Sequence, residues 1–362
     1  MTSVAVLGAG AGGAAAAVQL LLDGHDVCLW NRSGGVLEAF RRAGGVRYEG
    51  RLGEGVAEPG MLTTDLRAAL GAAEIGLVCL PAFAHPAIFE WLAAAGASVP
   101  LVLNPGGVGG SLEAREVFRG RGVLLPPLAE LSTLTYVARK YAPETVVVSG
   151  VAERVWGAAL PGGAEALSAA GELYPSVTLA PDVLFTGLSN VNLVLHPPGA
   201  ILAAAWIEAT LGGFRFYAEG MTSGVARVLE GLDAERLAVG RAFDHDLPSL
   251  AAEMAAIGTA DRVAAARGDL LEAIRGGAVN ARIPAPGSLE HRYYREDFEF
   301  GLLPFTALAA AARIPVPVAA SLLRLGTVLR GAELGHGRSA ERMGVSGIDV
   351  AELLRRVREE QT

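Results

Sequence analysis

A single lysine, Lys140, serves a chain of 362 residues; every other basic side chain that carries a fixed charge is an arginine. A lysine general base is therefore excluded anywhere but at Lys140. Cysteine is almost as scarce, with only Cys28 and Cys79. Two thiols cannot build a thiolate metal cluster. Both stand in short apolar runs that read as buried strands, so inert core residues and a reducing, cytoplasmic compartment are expected. Positive charge is short overall: the formal net charge is −8, with no basic footprint, which argues against a nucleic-acid partner. The amino terminus shows no basic segment ahead of an apolar core, so no signal peptide is expected. Nor is a membrane span: the most apolar late stretch, Val191 to Leu211, is broken by His196-Pro197-Pro198 and Glu208. With 51% hydrophobic and 19% charged residues the chain reads as well cored, and its length accommodates two domains.

Glycine, by contrast, is abundant, and four glycines fall together at Gly8, Gly10, Gly12 and Gly13. Val4 to Leu7 reads as a buried parallel strand. Gly8-Ala9-Gly10-Ala11-Gly12-Gly13 then spells G-x-G-x-x-G, and Ala14 to Leu22 reads as a helix. After a turn at Asp23-Gly24-His25, Val27 to Trp30 forms a second strand that ends at Asn31-Arg32-Ser33. Strand, glycine turn, helix and strand in this order form the dinucleotide-binding unit. Gly8 permits the tight turn, Gly10 lets backbone N–H groups reach a pyrophosphate, and Gly13 lets helix and strand approach. The helix N-terminus adds a positive dipole end. The bland alternative is an ordinary βα unit in a Gly/Ala-rich chain.

Short apolar strands continue to alternate with Ala-rich helices, which predicts an α/β fold with a Rossmann-type doubly wound parallel sheet. Helices are expected at Gly35–Arg42, Leu66–Gly71 (with Asp65 as N-cap), His85–Ala95, Glu113–Arg119 and Ala164–Gly171. Strands are expected at Ile75–Leu80, Val99–Leu103, Gly122–Leu125, Thr145–Ser149 and Ser176–Leu179, with a hairpin over Val46–Arg51 and Gly55–Pro59. The loops opening at Gly8, Asn31, Pro81 and Asn104 follow strand ends and should line one cofactor cleft. Strand-like runs stop near Pro181. The expected division is residues 1–182 as the dinucleotide-binding domain and 183–362 as an all-α substrate-binding and catalytic domain. Its helices are read at Phe185–His196, Gly199–Leu211, Gly220–Leu247, Ser249–Ile257, Arg262–Ile274 and Phe305–Arg330. One irregular, charged and aromatic segment, Asn280 to Gly301, interrupts them and reads as a candidate site loop.

The position after the second strand, where NAD-binding units place an acid, holds Asn31 followed by Arg32 and Ser33. Arg32 can pair with a 2′-phosphate and Ser33 can donate to it, which favours NADPH over NADH; an Arg32 that is only a solvated surface residue would leave NAD open. Pro81, Asn104, Pro105, Gly106 and Glu130 are further cofactor-side candidates, Glu130 near the nicotinamide. His196 precedes two prolines and is expected at a helix end, one turn beyond Asn192 on the same face. It suits proton transfer at neutral pH, or else is a satisfied, capping histidine. Asp297 could orient an imidazole, and Arg292 could clamp a substrate carboxylate. The alternative is a salt-bridged surface loop. His25, His245, His291 and His336 lack metal-ligand spacing, so no catalytic metal is expected.

On these residues the chain resembles the opine dehydrogenases of the octopine/nopaline type. It is most similar to bacterial enzymes that join a 2-oxo acid to the amino group of an amino acid. Its first half resembles the wider glycerol-3-phosphate dehydrogenase-type nucleotide domain. The likeness rests on Gly8 to Gly13, Leu103-Asn104-Pro105-Gly106, Leu188-Ser189-Asn190-Val191-Asn192 with His196-Pro197, Tyr217-Ala218-Glu219-Gly220, and Arg292-Tyr293 with Glu296-Asp297 and Gly301-Leu302. The resemblance implies that an amino acid and a 2-oxo acid such as pyruvate form an imine, which a nicotinamide hydride reduces to a secondary amine dicarboxylate. It assigns His196 as the acid–base residue, Asp297 as its carboxylate partner and Arg292 as the substrate carboxylate ligand. Two other readings are a ketone reductase of the ketopantoate reductase or glycerol-3-phosphate dehydrogenase type, and a non-catalytic dinucleotide sensor. A homodimer through the apolar helices of the second half is also expected.

Overall fold

The computed structural model describes residues 1–331 and 337–359. They fall into two compact units, the first running from Met1–Gly106 to Gly110–Val183, the second comprising Leu184–Glu359 with Gly107–Gly109.

Among the described residues the first unit holds twelve strands: β1 Ser3–Leu7, β2 Asp26–Trp30, β3 Val46–Gly50, β4 Gly55–Ala57, β5 Met61–Thr63, β6 Ile75–Val78, β7 Leu101–Leu103, β8 Leu128–Leu131, β9 Tyr136–Ala142, β10 Thr145–Val151, β11 Val155–Ala159 and β12 Val177–Leu179. Eight make one sheet in the order β12-β11-β8-β7-β6-β1-β2-β5. Its centre is apolar throughout, since β1, β6 and β7 are covered on both faces. Leu7 lies beside both Trp30 and Val78, and Val78 beside Leu103. That register brings the loops starting at Gly8, Asn31, Cys79 and Asn104 to one edge. This is the Rossmann-type arrangement read from the sequence, with three departures.

The sheet is not wholly parallel, because β11 runs antiparallel to β8. Between them the chain makes the β9–β10 hairpin rather than a helical crossover, and a return without a crossover is antiparallel. That hairpin joins β3 and β4 in a second sheet, ordered β4-β3-β10-β9. Gly122–Leu125 is not a strand: Leu124 is 89% exposed, and Pro126 and Pro127 cannot donate to a ladder.

Among its described residues the second unit is helical apart from an isolated bridge between Arg215 and Pro284. Several helices end earlier than their composition suggests. Ser223–Ala242 stops before Asp244, which has a positive φ of 59°. Gly268 at φ 74° separates Arg262–Ala266 from Leu270–Arg275, and Arg313 at φ 55° separates Leu303–Ala311 from Pro317–Arg330. Val350–Arg358 is an additional helix capped by Asp349. Two corrections concern the site. His196 is not at a helix end but inside the helix Val191–Leu202, which carries Pro197 and Pro198 within it. The segment expected to be irregular contains the helix Arg292–Asp297, continued by a π turn Phe298–Leu302 into Leu303–Ala311. Among the described residues no single helix is long and apolar enough to cross a membrane.

Candidate active site

In the first unit the glycine turn is a steric necessity. Gly8 has φ +122°, and a Cβ there would lie 2.6 Å from the carbonyl oxygen of Cys79. A Cβ on Gly13 would lie 1.7 Å from the Gly8 carbonyl oxygen, so helix and strand meet at a distance only glycine allows. Gly10 differs: it is exposed, with φ −70° and nothing within 4 Å of a Cβ. It caps the helix Ala11–Leu22 without a side-chain hydrogen bond, so no side chain covers the first-turn N–H groups. Gly12 approaches Leu134, 3.0 Å from a Cβ. A turn closed to a Cβ at Gly8 and Gly13 and open at Gly10, facing an uncapped helix N-terminus, fits a dinucleotide pyrophosphate.

The neighbouring loops stiffen this edge. Asn31 Oδ1 accepts the Ala9 N–H at 3.2 Å, while its Nδ2 donates to the Ser33 carbonyl at 2.9 Å and Oγ at 3.2 Å. Asn31 thereby ties the glycine turn to the loop after β2 and leaves Arg32 and Ser33 exposed beyond it. Pro81 opens a single 3-10 turn, Ala82–Ala84, and His85 starts the following helix with its ring 5.3 Å from that of Phe89. Two expected cofactor-facing side chains are turned inward. Asn104 is fully buried; its Nδ2 donates to Thr135 Oγ1 at 3.0 Å and its Oδ1 accepts the Thr135 N–H at 3.2 Å. Glu130 is also fully buried, and its Oε2 accepts the Ser111 N–H at 3.0 Å. Glu130 packs so closely on Gly106 that a Cβ there would come within 2.6 Å of Oε2.

The second unit brings distant residues together. Asn190 caps the helix Val191–Leu202 by accepting the Asn192 N–H at 3.1 Å. Six residues on, His196 is 3% exposed, and Asn192 is half-buried one turn before it. His196 Nδ1 lies 2.8 Å from Asp297 Oδ2, across 101 residues of chain. Asp297 is the last residue of Arg292–Asp297, whose start is set by His291, its Nδ1 accepting the Tyr293 N–H. Tyr294 donates its hydroxyl to the Ala200 carbonyl at 2.7 Å, pinning this short helix to the last turn of Val191–Leu202. Two further groups complete the cluster. Tyr217 Oη lies 2.8 Å from His196 Nε2 and 3.2 Å from Tyr293 Oη. The Tyr293 ring stacks on the imidazole, with centroids 3.8 Å apart and planes at 20°.

Burial holds the Asp297 carboxyl well above the usual carboxylate range, against the opposing charge of Arg292. Arg292 itself is 46% exposed at the side chain and only loosely paired, 3.9 Å from Glu296. Its guanidinium thus keeps donors available for a carboxylate. With Nδ1 given to Asp297, the imidazole is oriented and Nε2 becomes its working nitrogen, the arrangement of a general acid–base pair.

The structure thus joins His196 and Asp297 and places Arg292 within electrostatic reach of the pair. Tyr217 and Tyr293 stand in motifs that carry the resemblance, but no spacing rule connects positions 196, 217 and 293, and their place against His196 was not foreseen. Lys140 lies on β9 with its Nζ 4.3 Å from the Phe40 ring centroid, and burial lowers its amine to about 8. Among the described residues no three His, Cys, Asp or Glu side chains could hold a metal ion; His336 lies outside them.

Comparison with known proteins adds the following. Residues 179–330 match the family model of the NAD/NADP octopine/nopaline dehydrogenase α-helical domain, and residues 4–169 match that of ketopantoate reductase PanE/ApbA. The opine dehydrogenase of Arthrobacter sp. (strain 1C) is 32% identical over 351 residues, covering 96% of either chain. Octopine dehydrogenase, solved with NADH and L-arginine, superposes with a TM-score of 0.77 at 20% identity over 100% of both chains. Yersinopine dehydrogenase with NADP+ bound does so with a TM-score of 0.70 at 16% identity, over 98% of this chain and 99% of that one.

Proposed function

The chain belongs to the opine dehydrogenase family, and from that premise we propose that it condenses an amino acid with a 2-oxo acid such as pyruvate and reduces the resulting imine, using NADPH in preference to NADH. The product is an N-(carboxyalkyl) amino acid. The observation that carries this reading is the buried contact of His196 with Asp297, 2.8 Å apart, in a unit that also holds Arg292.

When bound, the dinucleotide supplies the hydride. Gly8, Gly10, Gly12 and Gly13 present the turn and helix N-terminus to its pyrophosphate. Arg32 and Ser33, exposed beyond the second strand, take the 2′-phosphate, and Asn31 holds their loop in place. Pro81 and the Asn104-Pro105-Gly106 turn line the same edge through their backbone, with Asn104 and Glu130 fixing that turn from behind. In the second unit Arg292 clamps the 2-oxo acid carboxylate, and half-buried Asn192 offers its amide to the substrate one turn before His196. As the amine attacks the ketone carbon, His196 carries the proton that turns the carbinolamine hydroxyl into water. Asp297 fixes the imidazole's tautomer and stabilises its charged form.

A ketone reductase of the ketopantoate reductase type is less favoured. The match to that family covers the nucleotide-binding part, and the single lysine lies against Phe40 in the second sheet rather than at a strand end of the first. A sensor has no need of a buried acid–base pair. We also place the protein in the cytoplasm, where the buried free thiols Cys28 and Cys79 stay reduced, and propose a homodimer formed through its apolar helices. The test is NADPH oxidation in the presence of a 2-oxo acid, with and without a panel of amino acids. Oxidation that requires the amine supports the reading.

A further inference from the structure

We propose that Tyr217 is the proton relay of this site, with its hydroxyl placed between His196 and the substrate oxygen. The inference rests on the reductive reading above and assigns a role to a residue that the reading leaves idle.

Both nitrogens of His196 are engaged within the protein, Nδ1 by Asp297 and Nε2 by the Tyr217 hydroxyl, each at 2.8 Å. One face of the ring is covered by Tyr293. A proton entering or leaving Nε2 therefore passes through the Tyr217 oxygen. That oxygen has a second neighbour, the Tyr293 hydroxyl at 3.2 Å, where either oxygen can donate. A hydroxyl that accepts on one side while donating on the other is what a relay requires. A substrate oxygen taking the place of the Tyr293 hydroxyl would meet Tyr217 directly.

The surrounding sequence is built to hold that hydroxyl. In Tyr217-Ala218-Glu219-Gly220, Glu219 Oε2 accepts the Arg215 N–H at 2.8 Å, and the N–H groups of Glu219 and Gly220 both donate to the Arg215 carbonyl. A Cβ on Gly220 would lie 2.6 Å from the Phe216 carbonyl oxygen. Upstream, Phe216 N–H donates to the Ile283 carbonyl, and Ala285 N–H to that of Phe214. Glutamate and glycine thus shape the turn, leaving the tyrosine as the residue of this motif that reaches the site.

Imidazolium Nε2 gives its proton to Tyr217 Oη while the tyrosine's own proton passes to the carbinolamine hydroxyl. The C–O bond breaks, water leaves, and the nitrogen lone pair forms the iminium. His196 ends neutral and Tyr217 is unchanged.

The test is Tyr217→Phe, which keeps the ring and removes the oxygen, with Tyr293→Phe as control. A relay predicts that kcat falls by about a hundredfold or more while KM and melting temperature change little, and that Tyr293→Phe loses less than about tenfold. A Tyr217→Phe enzyme with kcat within about threefold of wild type would show that the tyrosine withdraws and the imidazole meets the substrate itself. If wild-type oxidation proves to need a ketone and no amine, the opine reading fails. The relay is then judged on that ketone, whose oxygen also needs a proton. Histidine titration by 15N NMR in the NADPH-loaded protein gives a readout apart from turnover. The His196 pKa should move by about one unit in Tyr217→Phe and stay in place in Tyr293→Phe; no movement in the former would overturn the proposal.

Discussion

Asp297 combines burial with the role proposed for it beside His196, and the two consequences can be separated. Its carboxyl is raised by burial, so the folded protein binds that proton more tightly than the unfolded chain does. The linked stability is fully present below the unfolded value of about 3.9 and is lost as pH rises through the raised folded value. Asp297→Asn removes that loss while keeping an acceptor for Nδ1–H. Its melting temperature relative to wild type should be highest at pH 8, with the difference shrinking toward pH 5, although kcat falls by about 10²–10⁴-fold. A variant that melts lower than wild type at pH 8 and recovers in acid would reverse the assigned direction. Arg32 makes a cofactor prediction. Arg32→Asp places a carboxylate where a 2′-phosphate would sit, so the KM for NADPH should rise by about tenfold or more and that for NADH much less. Equal changes for the two would remove Arg32 from the cofactor site. Residues of this kind were legible because their types are rare where they stand: one histidine before two prolines, one arginine after a buried strand. Tyr217 was not, since an aromatic among apolar residues reads equally well as core, and its partner Tyr293 is 76 positions away.

The element that determines the first unit's chemistry is the turn between β1 and its helix, where Gly13 and Gly10 should respond differently to the same substitution. Gly13→Ala drives a methyl into the Gly8 carbonyl, and overpacking of that kind costs about 1–3 kcal/mol, a drop of several degrees in melting temperature. Gly10→Ala meets no atom of the protein within 4 Å, and its extended φ of −70° suits any residue, so stability should hold while NADPH binding weakens. Unimpaired NADPH binding by Gly10→Ala, measured by fluorescence titration, would mean that the turn does not approach the dinucleotide. Helices were the less legible elements of the second unit. Pro197 and Pro198 signal a helix end because each removes an N–H donor, yet the helix passes through them. Arg292 to Asp297 reads as loop from its charge, but Tyr293, Tyr294 and Asp297 are all buried, and packing against Val191–Leu202 together with the Tyr294–Ala200 hydrogen bond makes it a helix.

For the whole molecule, the change from an α/β part to a helical part was visible where strand-like runs give out near Pro181, and the structure separates its units at Val183–Leu184. Of the second sheet, the β3–β4 hairpin and the strand β10 were visible, but β9 and the joining of β10 to β3 were not, since that pairing spans about a hundred residues, which no local pattern encodes. The described residues hold the two features on which the proposed condensation rests, a glycine turn for a dinucleotide and a histidine paired with a buried acid. The most direct test is a reaction run with pyruvate, a panel of amino acids and NADPH deuterated at the transferable position. NADPH oxidation is expected to depend on the amino acid, and mass spectrometry to find the deuterium on the new C–N carbon of an N-(1-carboxyethyl) amino acid. Deuterium recovered in a 2-hydroxy acid, with oxidation indifferent to the amine, would contradict the proposed condensation.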